Sequence, residues 1–319
     1  MTIFARLITK GTMRKTIIFA VILAGIISIP ACKKEESTEN VPSLGGLYIT
    51  EDAVPYVEPG VQLVFKANAS KIVTSDNSTP GTIGLYWQVN SARRDTLTRD
   101  VSKSNPDFTY QVDTLGTYQV TCYAYAGSGY YNASAITSFQ AINPATALTG
   151  LGEQTSVTLG GKQWSARNLS NTTSGTSYKK ASVVDNLFGR LYSWEEAVNA
   201  CPDGWHLPTA AEWDAIEEDA SALMASAKFL DLDMWVPALG QSITNTSGFS
   251  AIPVGYLDNT ASMDKFRRYG EMAAFWTASD AASDASLAQF RFILYDNPAI
   301  MKGNGDKTSL ALSVRCIKD

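Results

Sequence analysis

Four cysteines are the side chains of this sequence with the widest choice of chemistry: Cys32, Cys122, Cys201 and Cys316. A thiol becomes a nucleophile, a metal ligand, a disulfide partner or a small buried group according to its surroundings. Acid–base chemistry would fall to the sole histidine, His206, and to 31 aspartates and glutamates. The segments around these residues therefore decide which chemistry is open to each.

Cys32 directly follows a segment with the features of a secretory signal. Two basic residues precede an uncharged apolar run, residues 16–29, and the dipeptide Pro-Ala separates this run from Cys32. The run is shorter than the roughly 20 residues that cross a membrane as a helix. We therefore predict a cleaved signal peptide over residues 1–31 rather than a permanent transmembrane helix. The end of the run resembles a bacterial lipobox, which implies acyl chains on Cys32.

Residues 32–43 are expected to form a lipidated tether. The cysteine is followed by Lys-Lys-Glu-Glu-Ser-Thr-Glu, which has too little apolar surface to pack and should remain solvated. A lysine and acidic stretch at this position resembles the signal that sends Bacteroidetes lipoproteins to the outer face of the outer membrane. The expected location is the outer membrane with exposure at the cell surface, and the expected partner is the membrane through the N-terminal acyl chains.

The composition of the mature chain argues against nucleic acid as a partner. Residues 1–32 contain four basic and no acidic residues, so their removal leaves 22 basic and 31 acidic residues and a net charge of −9. Binding a polyanion requires basic patches, and the basic pairs at 93–94 and 267–268 are more simply solvated turns. The remaining length favours two domains.

Residues 44–142 show the alternation typical of an all-β domain, without a helical period. Tyr118, Val120 and Cys122 alternate onto one face of a strand, and Trp87 could fill the centre of the facing sheet of a sandwich. On an inward face Cys122 is more simply a small buried residue than a reactive thiol. The predicted strands are 62–67, 84–89, 108–112, 118–125 and 135–142.

The turn before Tyr118 resembles the tyrosine corner of immunoglobulin-like domains. The sequence Gly-Thr-Tyr-Gln-Val-Thr beside it resembles a late strand of PKD-type surface domains. The resemblance implies an immunoglobulin-like or PKD-like sandwich. Residues 143–160 are rich in small, polar and turn-forming residues, so we expect a flexible linker between this sandwich and a second domain.

Residues 161–319 hold six of the seven tryptophans, which predicts an aromatic interior. Two helix starts fit a capping box, Ser193 with Glu196 and Thr209 with Glu212. Apolar residues recur at helical spacing after Thr209, whereas the segments from residue 249 onward alternate as short strands. We expect an α+β domain.

Six blocks of this second domain, in order along the chain, resemble the Fibrobacter succinogenes major paralogous domain. That family resembles the C-type-lectin-like superfold, which implies helices over 194–200 and 210–228, both chain ends in one small sheet, and a disulfide between Cys201 and Cys316. The six blocks are 164–169, 188–194, 197–213, 248–256, 275–279 and 313–316.

The second domain offers few groups for catalysis. His206 lies between residues that favour burial, and one histidine does not supply the three or four ligands of a zinc site. The sequence has no Gly-x-Ser-x-Gly nucleophile elbow. It also lacks the motifs of calcium-dependent lectins, and the implied disulfide removes the cysteine pair that the formylglycine-generating enzymes of this superfold need. We expect no enzyme activity, no cofactor and no metal.

The expected function is that of a surface binding or adhesion module that recognises a glycan or a protein. Exposed aromatic and arginine side chains are favoured at recognition sites, although Trp235 is as compatible with a core position. A structural protein of the envelope or of surface assembly is the alternative, and a carbohydrate-active hydrolase with two facing carboxylates is a weaker one. The candidate contacts are Trp235, Tyr256, Arg267, Arg268 and Tyr269.

Overall fold

A computed structural model describes most of the chain after the tether. The predicted signal peptide, Cys32 and the tether lie outside the described residues. Within the described part, no helix has the length and apolar character needed to span a membrane. The described residues are 47–50, 54–68, 83–90, 99–101, 107–126, 130–240 and 242–319.

The first eight strands form two sheets that face each other. One sheet has the order β1-β3-β6, and the other has the order β2-β8-β7-β4-β5. Apolar residues alternate along these strands, so one face of each sheet is buried against the other. The strands are β1 Tyr48–Thr50, β2 Tyr56–Val57, β3 Gln62–Asn68, β4 Ile83–Val89, β5 Arg99–Val101, β6 Asp107–Gln111, β7 Gly116–Ala126 and β8 Tyr130–Ala141.

Aromatic rings and one thiol fill the space between these sheets. Trp87 stacks on Phe108 with ring centroids 5.2 Å apart, and Phe65 lies beside both rings. Trp87 and Cys122 are paired neighbours in the same sheet, so the prediction that Trp87 belongs to the facing sheet is wrong. Cys122 is fully buried, and burial raises the pKa of its thiol to about 12, as expected of a small core residue.

The turn into β7 contains the predicted corner. The hydroxyl of Tyr118 donates to the carbonyl oxygen of Thr114 at 2.8 Å, while its ring stacks on Phe139 inside the sandwich. The hydrogen bond ties the turn to the strand that follows it.

Much of the predicted linker is ordered secondary structure, so the prediction of a flexible hinge is wrong. The side chain of Asn143 caps a short helix, α1 Pro144–Ala147, and the strand β9 Leu148–Thr149 pairs with a strand of the C-terminal part. Ile142 and Ala147 are buried in the same apolar cluster. Burial of these apolar residues fixes the backbone of the segment, although the small and polar residues around them would otherwise leave it flexible.

The C-terminal part consists of many short strands and four further short helices. The helices are α2 Asp185–Phe188, α3 Trp194–Ala197, α4 Ala210–Asp214 and α5 Ala220–Leu223, with 3-10 turns at Tyr178–Lys180 and Ser182–Val184. The strands are β10 Ser156–Leu159, β11 Lys162–Ser165, β12 Trp205–His206, β13 Lys228–Phe229, β14 Leu232–Asp233, β15 Tyr256–Asp258, β16 Phe266–Arg267, β17 Met272–Ala281, β18 Asp284–Leu294, β19 Met301–Asp306, β20 Leu310–Ala311 and β21 Ile317–Lys318.

Both predicted capping boxes are present, but both helices end early. Ser193 and Glu196 exchange hydrogen bonds at the start of α3, and Thr209 and Glu212 do so at the start of α4. The helix expected over 210–228 ends at residue 214. The side chain of Asp219 then caps a separate helix, α5, because a carboxylate that accepts backbone N–H groups favours a new helix start.

The strands of the C-terminal part form four small sheets. Their orders are β10-β11-β21-β12, β17-β18-β19, β16-β15-β20 and β14-β13-β9. The first joins both ends of this part of the chain. The predicted disulfide between Cys201 and Cys316 is present and connects the turn after α3 to the approach to β21. The described chain is therefore mostly β-sheet with few helices.

The sheet β17-β18-β19 lies between two apolar clusters. Phe275 and Ile293 face the cluster around Trp164 and Trp213. On the opposite face, Trp276 and the even-numbered residues of β18 join a cluster that also holds Cys316. This second face is only partly covered at the end of β18, and the groove described below lies there.

Candidate functional site

A groove of about 440 Å³ lies over the partly covered end of β18. Apolar and aromatic side chains predominate in it, and three polar residues complete its lining. Its lining residues are Tyr256, Asp258, Arg268, Met272, Phe290, Phe292, Leu294, Asn304, Leu310 and Leu312.

The floor of the groove follows from the alternation of side chains along β18. Phe290, Phe292 and Leu294 are two residues apart, so they project from the same face of the strand. The rings of Phe290 and Phe292 have centroids 5.5 Å apart, and Phe290 meets Trp276 edge to face at 6.1 Å. All three floor residues stay partly exposed, which leaves aromatic surface open to a ligand.

One wall of the groove is the hairpin of β15 and β16, in which Tyr256 lies opposite Arg267. Gly255 begins this wall with φ of +69°. A Cβ at this position would collide with the carbonyl oxygen of Arg267, so only glycine fits. The glycine therefore lets the two strands approach closely enough to form the wall.

Opposite charges mark the two ends of this wall. Asp258 lies near the tip of the hairpin, while Arg268 follows β16 at its base, which places their Cα atoms about 10 Å apart at roughly 3.3 Å per residue. Hydrogen bonds from the hydroxyl and the backbone N–H of Thr260 lower the pKa of Asp258. Arg268 pairs with Glu271 at 3.2 Å, and both side chains are about half exposed. A ligand can displace so exposed a pair at little cost.

The structure brings together some of the five predicted contact residues and separates others. Tyr256 and Arg268 line the groove, and Arg267 lies beside Tyr256 on the neighbouring strand. Tyr269 packs on the rings of Tyr178 and Phe188, and burial raises the pKa of its phenol. Tyr269 is therefore chiefly a packing residue.

The prediction of Trp235 as an exposed recognition residue is wrong. Its side chain is 3% exposed, and the indole N–H donates to the carbonyl oxygen of Ala251 at 3.3 Å. A large ring whose single donor is satisfied inside the protein gains more from burial than from exposure. Trp235 is a core residue.

Sequence reasoning missed the residues of the groove floor. Short strands are expected from residue 249 onward, and the alternation of residues 288–295 predicts that Phe290 and Phe292 share a face. The alternation does not tell how much of that face another element covers. The decisive fact is the position of the hairpin of β15 and β16, which comes from a segment about 30 residues earlier in the chain.

The sole histidine is paired with carboxylates rather than packed in the core. His206 bonds Asp319 through Nδ1 at 2.6 Å and Glu212 through Nε2 at 3.2 Å. Burial favours the neutral ring, but the hydrogen bonds and charges of the two carboxylates outweigh it and raise the pKa of His206. The trio ties β12 to α4 and to the last residue of the chain.

The groove is suited to binding. Its lining contains one carboxylate and no histidine, cysteine, serine or lysine, so two facing carboxylates do not occur in it. Among the described residues, no three His, Cys, Asp or Glu side chains cluster closely enough to hold a metal ion. An apolar floor with opposite charges at its ends fits an elongated amphipathic ligand.

Comparison with known proteins places the C-terminal part in a family. No curated protein sequence matches the chain. The CARDB domain of a Pyrococcus furiosus protein, solved with two metal ions, is 10% identical over 31% of this chain and 93% of that chain, with a TM-score of 0.25. The Yersinia pseudotuberculosis adhesin InvE is 12% identical over 86% of this chain and 70% of that chain, with a TM-score of 0.27. Scores this low carry no argument about function.

The Fibrobacter succinogenes major domain profile matches residues 157–318. This range is just over half of the 319 residues, and it contains the disulfide, both capping boxes and the groove. The chain therefore belongs to the Fibrobacter succinogenes major domain family.

Proposed function

We propose that the chain is a non-catalytic binding or adhesion module of the cell surface, which takes a glycan or a protein ligand in the groove. Acyl chains on Cys32 hold it at the outer face of the outer membrane, and the tether of residues 32–43 carries the folded part away from the lipid. The signal peptide and lipobox support the anchor, and the groove supports the binding role.

In this proposal, residues 44–142 are an immunoglobulin-like spacer and residues 161–319 are a C-type-lectin-like head. Two facing sheets and the tyrosine corner at Tyr118 support the first assignment. A sheet that joins both ends of the C-terminal part, two capped helices and the long-range disulfide support the second. The fold alone assigns no ligand to either module.

The partly exposed aromatic floor is the observation on which the binding role rests. Phe290 and Phe292 could have been covered by one more turn of chain, and leaving them in water costs roughly 25 cal/mol for each Å² of apolar surface. A concave site with partly exposed aromatic side chains and a few polar groups at its edge is typical of ligand-binding sites.

Binding of the purified mature chain to arrays of glycans and of synthetic peptides tests the role. We expect Phe292→Ala and Arg268→Ala each to weaken binding at least tenfold, because one removes floor surface and the other removes the basic end. Leu232→Ala is the matched control, since Leu232 is an exposed apolar residue outside the groove lining. Arg268 is half exposed, so its loss leaves the fold intact.

Two results would overturn the binding proposal. The first is the absence of saturable binding to any glycan or peptide on the arrays. The second is binding that Leu232→Ala weakens as much as the two groove variants do. Thermal unfolding of each variant separates loss of the site from loss of the fold.

The anchor has a separate test in cells. Cys32→Ser should abolish incorporation of radiolabelled palmitate, since serine lacks the sulfur that carries the lipid. Cys122→Ala is the control, because it leaves Cys32 intact. Palmitate incorporation into the Cys32→Ser protein at the wild-type level would contradict lipid anchoring.

A further inference from the structure

The strand β19 is the edge of its sheet, since the order β17-β18-β19 has no further strand among the described residues. The N–H of Lys307 donates to the carbonyl oxygen of Ser286, which fixes the pattern of the ladder between β18 and β19. In an antiparallel ladder, residues alternate between bonding the neighbouring strand and pointing away from it. The residues of β19 that bond β18 are thus Met301, Gly303 and Gly305.

The other residues of β19 direct their backbone N–H and C=O groups away from the sheet: Lys302, Asn304 and Asp306. A second hydrogen bond checks this assignment, because the N–H of Tyr295 donates to the carbonyl oxygen of Glu271. By this bond, the odd-numbered residues of β18 direct their backbone groups to β17. The even-numbered residues of β18 therefore bond β19, in agreement with the first assignment. No partner for these outward backbone groups occurs among the described residues. An edge with such a row of groups is a template for another strand.

Gly303 brings the groove to this edge. Gly303 lies opposite Phe290, and a Cβ on Gly303 would come within 2.5 Å of the Phe290 ring. The Phe290 ring therefore extends over Gly303 of the edge strand. A side chain at position 303 would separate this ring from a strand added to the edge. Asn304 belongs both to the groove lining and to the outward row.

We infer that β19 pairs with an extended segment of a partner polypeptide, which places an apolar side chain against the Phe290 ring where Gly303 leaves that ring uncovered. This inference rests on the proposed function and names the ligand class. The spacing of the outward groups is about 6.8 Å, two residues of a strand, and the backbone of another strand repeats at the same distance. Main-chain pairing gives such a complex its affinity, and the groove selects side chains.

A glycan matches this surface less well. The hydroxyl groups of a sugar have no reason to repeat at the spacing of a strand, and the floor consists of Phe and Leu side chains rather than hydrogen-bonding groups. A polypeptide satisfies the edge and the floor at once.

The test begins with an array of synthetic ten-residue peptides of alternating apolar and polar residues, probed with the purified mature chain. Asn304→Pro removes one outward N–H and leaves the bonds to β18 in place, because proline is tolerated at an outward edge position. We expect it to weaken peptide binding at least tenfold. Leu232→Ala is the control, since Leu232 is exposed and lies outside the groove lining, and it should retain peptide binding within about threefold.

Hydrogen exchange supplies a readout that does not depend on a variant folding. In the wild-type chain with saturating peptide, the amides of Lys302, Asn304 and Asp306 should exchange at least tenfold more slowly. The amide of Leu232 serves as a reference outside the surface.

The outcomes separate this inference from the proposed function. Peptide binding that survives Asn304→Pro, or that leaves the three amides unprotected, overturns strand pairing. Glycan binding without peptide binding, lost in Phe292→Ala, also overturns it while the groove remains a binding site. If the chain binds neither peptides nor glycans, both proposals fail.

Discussion

Arg315 is a fully buried cation whose guanidinium is satisfied by neutral oxygens. It donates to the side-chain oxygen of Asn168 at 2.8 Å and to the carbonyl oxygens of Phe249 at 2.7 Å and Ser250 at 3.0 Å. Its guanidinium also lies 4.3 Å from the centroid of the Phe249 ring. Burial lowers the pKa of Arg315. The planar group thus joins three segments that are far apart in the sequence.

Replacing Arg315 tests how much the fork shape of the guanidinium matters. Arg315→Lys keeps the charge but leaves several of these acceptors unpaired, so we expect the free energy of unfolding to fall by about 3 kcal/mol. Urea unfolding at neutral pH measures the change. Lys318→Arg, at an exposed site two residues beyond Cys316, is the control and should change stability by less than about 0.5 kcal/mol. A similar value for both variants would contradict the role assigned to Arg315.

His206 predicts a pH dependence of stability. Because its pKa is raised in the folded state, the protonated ring contributes stability that is fully present below its unfolded pKa and is lost as pH rises through the folded pKa. The free-energy difference between wild type and His206→Gln should be larger at pH 6 than at pH 9. The change should be under about 1 kcal/mol, because the ring is more than a third exposed. Unfolding titrations at both pH values measure it.

The carboxylate partner Glu212 should not change the stability between pH 6 and pH 9. The pKa of Glu212 is lowered, chiefly by hydrogen bonds from Thr209 that outweigh its desolvation, so its own contribution is lost only in acid, below its usual pKa. Asp319→Asn removes the closer partner of His206 and should reproduce part of the effect. A difference that stays constant between pH 6 and pH 9 would refute the assignment.

At the scale of elements, the disulfide between Cys201 and Cys316 ties the helical side of the C-terminal part to the sheet that joins its ends. The two cysteines are 115 residues apart, so the bond restricts a long loop of the unfolded chain. The same cluster holds Trp276 and Leu312, next to the groove. The bond therefore supports the framework on which the floor of the groove is built.

Loss of this bond should destabilise the protein strongly. The chain-entropy model gives about 4–5 kcal/mol for a loop of this length, so reduction with dithiothreitol should lower the free energy of unfolding by up to this amount. Cys122→Ala should show the same sensitivity to reductant, because it leaves the bond intact. The double variant Cys201→Ala, Cys316→Ala should be insensitive. Equal stability of the oxidised and reduced wild-type chain would count against a structural disulfide.

Local sequence signals predicted where elements begin better than where they end. The capping boxes at Ser193 and Thr209 are correct, because each depends on residues three positions apart. The length of the second helix was overestimated. Ile216, Ala220 and Leu223 have helical spacing and are buried, yet the backbone between Asp214 and Asp219 is not helical. Burial of these apolar side chains and the cap at Asp219 stabilise the interrupted backbone more than a continuous helix would.

At the scale of the whole molecule, Pro42–Asp319 form one compact unit. The sandwich contributes Val54, Tyr56 and Ile142 to an apolar cluster that also contains Phe229 and Phe188 of the C-terminal part. The rings of Tyr56 and Phe229 meet edge to face at 5.0 Å. A joint of this kind carries the two parts as one body.

Tyr56→Ala tests the joint. Removing a half-buried aromatic ring should weaken it by about 2 kcal/mol, less than the loss for a fully buried ring. Calorimetry should show a single unfolding transition for the wild-type chain and two transitions for the variant. Ile136→Ala, at an exposed position of the sandwich, should keep one transition. A Tyr56→Ala protein that still unfolds in a single, merely shifted transition would argue against the joint as the source of coupling.

The sequence by itself determined the features that depend on neighbouring residues. These include the signal-like N-terminus before Cys32 as a prediction, and the capped helix starts and alternating strands as confirmed features. The match of ordered blocks also identified the family, and with it the disulfide. Each such signal is complete within a short segment or a motif, so no knowledge of packing is needed to recognise it.

Only the tertiary structure decided which surfaces remain open. Tyr256, Phe290 and Leu312 meet in the groove because three separate segments of the chain pack around one partly covered face. Whether Trp235 is buried and Phe292 exposed depends on long-range contacts, which the type of residue does not encode. The same holds for the linker, which pairing with a distant strand orders, and for β19, whose outer edge has no partner strand among the described residues.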